Sequence, residues 1–199
     1  MEALVAATVA ALTVYDMAKA DRRRDGALGG SAGREDEGAR VKAAVLTVSD
    51  GVDMGTREDA SGDLLEELLV AEGFEVVRRV VPDERDAIAE AIEELADEAR
   101  LVLTTGGTGV GPARRDARGD GERPRAHGAG IAEAIRADSI DKTPHALLSR
   151  GIAGVRGTTL VVNLPGSTGG CRDGFAILQP ALRHALELLA GEETAHRQT

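Results

Sequence analysis

Aromatic residues are nearly missing: two Phe, one Tyr and no Trp in 199 residues. That removes the platforms on which single-stranded nucleic acids stack their bases, and it leaves Val, Leu, Ile and Ala to build a core. Cysteine is scarce too. Cys171 stands alone, so no internal disulfide can form, and no Cys/His group has metal-ligand spacing. Positive charge is in deficit, with 24 Lys and Arg against 34 Asp and Glu, a formal charge of −10. Such a surface repels phosphate backbones, and no nucleic-acid partner is expected. Long apolar runs are also lacking. The longest, Ala3 to Tyr15, falls short of the roughly 20 residues that cross a bilayer, and no basic stretch precedes it as in a signal peptide. A cytoplasmic protein with no membrane partner is expected.

What is present falls into four parts. Residues 2–19, EALVAATVAALTVYDMAK, predict an Ala-rich helix that is apolar nearly all round and expects burial. Residues 21–40 hold five Arg, five Gly and one large aliphatic, Leu28, which predicts a flexible, solvated linker. From 41 to 191 apolar runs alternate with helical patterns, the mark of an α/β domain with a parallel sheet. A tail, 192–199, follows.

Within 41–191 the runs at 43–49, 74–81 and 101–105 predict three neighbouring strands, with helices over 61–72 and 86–99 between them. A short helix over 131–137, strands at GIAGV and TTLVVNLP, and a last helix with Pro180 in its first turn complete the pattern. In open α/β sheets ligands bind beyond the carboxyl ends of the strands, so the loops there carry the candidates. They are Ser49-Asp50-Gly51, Pro82-Asp83-Glu84, Gly106-Gly107-Thr108-Gly109 and Asn163-Leu164-Pro165-Gly166-Ser167. Glycines after a strand let backbone N–H groups approach an anion, which makes phosphate the natural ligand. Asp50 and Asp83 at the rim of a phosphate site make sense as Mg²⁺ ligands. Each loop taken singly also reads as an ordinary turn or cap. Their convergence on one edge is what points to a site.

The strings LTVSD (46–50), VPDE (81–84), LTTGGTGVGP (103–112), KTPHALLSRGIAGVRG (142–157) and VVNLPGS (161–167) resemble, in order and spacing, the molybdopterin adenylyltransferases of molybdenum-cofactor biosynthesis. The resemblance implies a three-layer α/β/α domain with a mostly parallel sheet, usually a homotrimer, that moves AMP from Mg-ATP to the terminal phosphate of molybdopterin and releases pyrophosphate. By motif, Thr105, Gly106, Gly107, Thr108 and Gly109 would cradle phosphates, and Asp83 would be a catalytic or magnesium-linked carboxylate. Ser49 and Asp50 would line the pocket. Asn163, Pro165, Gly166 and Ser167 would contact nucleotide or pterin. Thr168 and Gly169 replace the Pro-Lys or Pro-Arg common after NLPGS, which removes a phosphate-binding cation. Residues 1–20 resemble the C-terminal part of cyclic pyranopterin monophosphate synthase, with Glu2, Asp16 and Lys19 at functional positions of that family. The upstream Lys and His of its site are missing. A fusion whose record starts at an internal methionine is expected, with other molybdenum-cofactor enzymes as partners and no pyranopterin cyclisation by this chain.

The largest departure is ARRDARGDGERPRAHGAG (113–130), with five Arg, four Gly, four Ala and no large aliphatic residue. The resemblance calls for a motif like PRDVTPEAT followed by a helix, with a catalytic Asp at the fifth residue after GGTG. Arg114 stands there. Asp116, two places on, is the substitute. Permitted codons for 111–130, read with one C dropped from the Pro112 codon, spell GPRDVTPEATASVLERTVPG at the same length. A compensated frameshift is the sharper reading of this segment. Besides adenylyl transfer, two readings therefore stay open: a catalytically impaired molybdopterin- or nucleotide-binding protein, and a generic phosphate-binding scaffold.

Overall fold

The computed structural model describes residues 41–106 and 129–191. The expected N-terminal helix, the linker 21–40 and the tail 192–199 lie outside the described residues, as do Glu2, Asp16, Lys19, Gly107, Thr108, Gly109 and Asp116.

In chain order the elements are β1 (Lys42–Val48), a one-turn α1 (Asp50–Asp53), α2 (Ala60–Ala71), β2 (Glu75–Val81), α3 (Arg85–Glu98) and β3 (Leu101–Thr105). There follow α4 (Ala129–Lys142), a 3₁₀ turn (Pro144–Leu148), β4 (Ala153–Arg156), β5 (Thr159–Leu164) and α5 (Thr168–Leu189). The strands form one sheet in the order β2-β1-β3-β5-β4. β1 pairs in parallel with β2 and β3, and β3 with β5; only β4 runs antiparallel, against β5. The three-layer α/β/α fold expected from the sequence is the one observed.

Strand alternation divides the core. Ala44, Leu46, Val48, Val102 and Val161 face α3, whose Ile88, Ala91, Ile92 and Leu95 form one buried stripe at helical spacing. Ala43, Val45, Leu101, Leu103, Leu160, Val162 and Leu164 face α2 and α5 on the other side. Asp59 starts α2 by accepting from Gly62 N at 3.0 Å, and Gly73, at φ +91°, turns the chain out of it.

Two expectations are corrected. The short helix over 131–137 extends over Ala129–Lys142. Pro180 does not open the last helix but lies inside it, because α5 begins at Thr168, where Ser167 caps by accepting from Gly170 N at 3.1 Å. Cys171, Phe175, Leu178, Leu182 and Leu186 make one buried stripe on both sides of the proline. That burial outweighs the roughly 3 kcal/mol an interior proline costs. Pro180 and Ala176, whose carbonyl loses its helical partner, are both on the exposed side.

Candidate functional site

Because β1, β2, β3 and β5 are parallel, their carboxyl ends share one edge of the sheet, and the turn before the antiparallel β4 returns to it. Ser49 caps α1, with Oγ accepting from Val52 N at 3.4 Å, and its own N–H donates to Val81 O at 3.0 Å. This ties the ends of β1 and β2 together. Asp50 then reaches across. Its Oδ1 accepts from the backbone N of Asp83 at 2.8 Å, so one sequence-predicted acid holds the backbone of the other. Asp50 holds the β2–α3 loop in place with that oxygen, and Asp83 is half-buried beside it.

Gly106 closes the end of β3 at φ +94°, and a Cβ there would stand 2.3 Å from Val48 O. Only glycine fits both the dihedral and the space. A Cβ on Gly166 would lie 3.1 Å from Gly106 Cα, so the β5–α5 loop packs directly on the β3 turn.

Thr105 has a different place from the one expected of it. Its side chain is fully buried, with Oγ1 donating to Pro165 O at 3.0 Å and lying 3.2 Å from Cys171 Sγ. It stands on the α5 face of β3, where alternation turns it inward; it positions the Pro165 loop and offers no side chain to a ligand. Ser167 is exposed, and its hydroxyl serves the α5 cap. Asn163 is the last buried polar side chain of β5: Nδ2 donates to Thr104 Oγ1 at 2.8 Å and to Gly106 O at 3.4 Å. Its Oδ1 is buried with no hydrogen-bond partner among the described residues. An orphan acceptor at a strand end fits a site that takes a donor from a ligand.

Three arginines near this edge carry no strand-end signal in the sequence. Arg150, before β4, has its charge opposed by burial and supported by Asp83, with burial prevailing, so its pKa is lowered. Arg136 of α4 donates to Gly151 O at 2.6 Å and anchors that turn. Arg57 folds back from the β1–α2 loop to donate to Ser49 Oγ at 2.8 Å. Cys171 is buried, and its thiol is pushed up to about 11, by burial first and the charge of Asp59 second, against the Thr105 hydrogen bond.

No three His, Cys, Asp or Glu side chains gather into a metal cage among the described residues. Mg²⁺ commonly binds one or two carboxylates together with substrate phosphates, and Asp83 fits that pattern, since the Asp50 oxygen is already engaged.

The arrangement defines an α/β/α domain whose candidate ligand edge carries tight glycine turns, the Asp50–Asp83 backbone link and arginines. The chain belongs to the molybdenum-cofactor biosynthesis family described as "probable molybdopterin binding domain", matched over residues 44–184. It is 39% identical to a molybdenum cofactor biosynthesis bifunctional protein of Chlorobaculum tepidum, over 96% of this chain and 64% of that one. The chain thus spans just under two thirds of that relative's length. It is 34% identical to a molybdopterin adenylyltransferase of Helicobacter pylori, over 76% of this chain and 89% of that one. Among solved structures, the molybdopterin biosynthesis enzyme MoaB of Thermus thermophilus superposes with a TM-score of 0.64 at 37% identity, covering 76% of this chain and 98% of that one. Among the described residues no helix is long and apolar enough to cross a membrane.

Proposed function

We propose that the protein transfers AMP from Mg-ATP to the terminal phosphate of molybdopterin. A phosphate oxygen of molybdopterin forms the new bond to the α-phosphorus, the bond to the β-phosphate breaks, and pyrophosphate leaves with the electron pair. The observation that carries this reading is the hydrogen bond from the Asp83 backbone to Asp50, at the strand edge that the Gly106 turn shares. Backbone there can approach phosphate closely, while Asp50 fixes where the Asp83 carboxylate stands. Asp83 would hold magnesium jointly with the phosphates, and the ion would offset charge on the transferring group. Asn163 Oδ1 supplies an acceptor for a donor on nucleotide or pterin.

A second reading, that the protein binds these ligands and turns over poorly, is favoured by Arg114 standing where the resemblance calls for an acid. The match to the bifunctional relative covers 96% of the chain, which supports a pyranopterin-synthase-like origin for residues 1–20. Homotrimeric assembly is part of the same proposal.

Pyrophosphate release with Mg-ATP and molybdopterin tests both readings. Asp83→Ala should lower the rate by roughly 10²-fold or more with an unchanged melting point, the scale of one preorganised group. Replacing 113–130 by RDVTPEATASVLERTVPG should raise it by about the same factor. Full activity in Asp83→Ala rejects the assigned carboxylate. Equal rates with and without the replacement mean that 113–130 works as it stands, and the frameshift is withdrawn.

A further inference from the structure

We propose that Arg57 and Ser49 together form an anion clamp that grips a phosphate of the substrate, a role that rests on the AMP-transfer reading and deepens it. Arg57 is exposed, and the one hydrogen bond of its guanidinium among the described residues runs from Nη2 to Ser49 Oγ, at 2.8 Å. It makes no ion pair there, although Asp53 and Glu58 lie close in sequence and the chain carries an excess of acid. The guanidinium keeps its other donors, and it is always charged.

The hydroxyl it touches is in a matching state. Ser49 Oγ accepts from both Val52 N and Arg57, so both lone pairs are used, and its single proton has no acceptor among the described residues. A cation with spare N–H groups and a hydroxyl with an undirected O–H therefore stand side by side. Both present donors only. The ligand chemistry that satisfies such a pair is an oxyanion, and the planar fork of arginine suits phosphate.

The pair is held before any ligand arrives. Gly55, at φ +69°, reverses the chain, and Thr56 N, Thr56 Oγ1 and Arg57 N all donate to Gly51 O at 2.9 Å. The arginine stem packs over Gly51, where a Cβ would stand in ordinary contact, 3.6 Å from Arg57 Cβ. The far end of the loop is fixed by Asp59, which accepts from Thr47 Oγ1 at 2.8 Å and from Gly62 N at 3.0 Å. A preorganised donor pair loses less freedom on binding than a loose side chain does. Ser49 is adjacent both to Val48, against which Gly106 closes, and to Asp50, which holds Asp83. The clamp therefore opens onto the same edge as the proposed reacting groups.

The test is calorimetric titration of the full chain with Mg-ATP, pyrophosphate and molybdopterin in turn, for wild type, Arg57→Gln, Arg57→Lys and Ser49→Ala. Arg57→Gln should weaken at least one of the three by about 10-fold or more, and Arg57→Lys should recover part of the loss by restoring charge without the fork. Ser49→Ala should weaken the same ligand, with a double variant losing less than the two single losses multiplied. A loss shared by Mg-ATP and pyrophosphate assigns the clamp to the nucleotide's phosphates; a loss confined to molybdopterin assigns it to that phosphate. Affinities of Arg57→Gln within about 2-fold of wild type for all three ligands, or no binding by the wild type, overturn the proposal. A wild type that binds them but releases no pyrophosphate rejects adenylyl transfer and leaves the clamp standing.

Discussion

Arg78 and Arg57 belong to the same β-α-β unit and meet opposite fates. Arg78, on β2, points to the α2 face, where it pairs with Asp59 at 2.6 Å, with Glu66 at 3.0 Å and with Asp63. Burial works against its charge, but the hydrogen bonds it donates to Asp63, Asp59 and Glu66 outweigh that and raise its pKa above the ordinary value. Its neighbour Arg79 points to the other face and is paired with Glu94 of α3. Arg57 has a hydroxyl instead of a carboxylate. An arginine surrounded by acids ties a strand to a helix and has little left for a ligand; one left with donors at the strand ends is free to bind. Polar groups divide the same way along β3 and β5. Thr105 spends its hydroxyl inward on Pro165 and Cys171, whereas Asn163 keeps an acceptor unspent.

If spent groups carry stability, the heaviest loss should come where the edge is tightest. Gly106→Val puts a branched side chain at φ +94° and against Val48 O, and should cost roughly 3 kcal/mol or more, read as a large drop in the urea midpoint or as insoluble protein. A variant with wild-type stability would show that the turn is loose. Arg78→Met leaves three carboxylates facing one another and should cost about 1–3 kcal/mol in urea, whereas Arg57→Gln should stay within roughly 0.5 kcal/mol. Equal costs would erase the contrast. The smallest effect belongs to Cys171. Its thiol rises from 9.0 to about 11 in the folded protein, so the unfolded chain loses that proton first, and stability should fall as pH climbs from about 9 to about 11. Melting curves of wild type and Cys171→Ser across that window should differ in slope; parallel curves would mean that the thiol titrates as it does in water.

The strands β1 to β3 and their helices are legible because uninterrupted Val, Leu, Ile and Ala runs alternate with stripes of period 3.6. The one-turn α1 and the 3₁₀ turn leave no such period. They are set by the single caps Ser49 and Thr143, which any loop could contain. Pro180 misleads because proline is common in a first helical turn, and the glycines at 169, 170 and 174 look like a loop until Leu164, Pro165 and Ile135 are seen close against Gly170 and Gly174. At the candidate edge, the places of Ser49, Asp50, Asp83 and Gly106 were legible because position after a strand marks the edge where ligands bind in this topology. Those of Arg57 and Arg150 were not. One arrives by a fold-back turn eight residues beyond Ser49, and the other precedes an antiparallel strand whose start lies at the edge where parallel strands end.

The parallel pairing of β3 with β5 has a consequence for how the chain tolerates change. Leu101 meets Leu160 and Thr105 meets Leu164, so the sheet closes over everything between Gly106 and Thr159. The length-dependent part of the entropy lost in closing such a span grows only with the logarithm of the number of residues bridged. A stretch rewritten letter by letter at constant length, as a compensated frameshift would leave 113–130, adds nothing to that term. The sheet's register is fixed by the strands on either side, so under the proposed function activity could be lost or regained by sequence drift in the span while the length-dependent cost of assembling the edge stays the same.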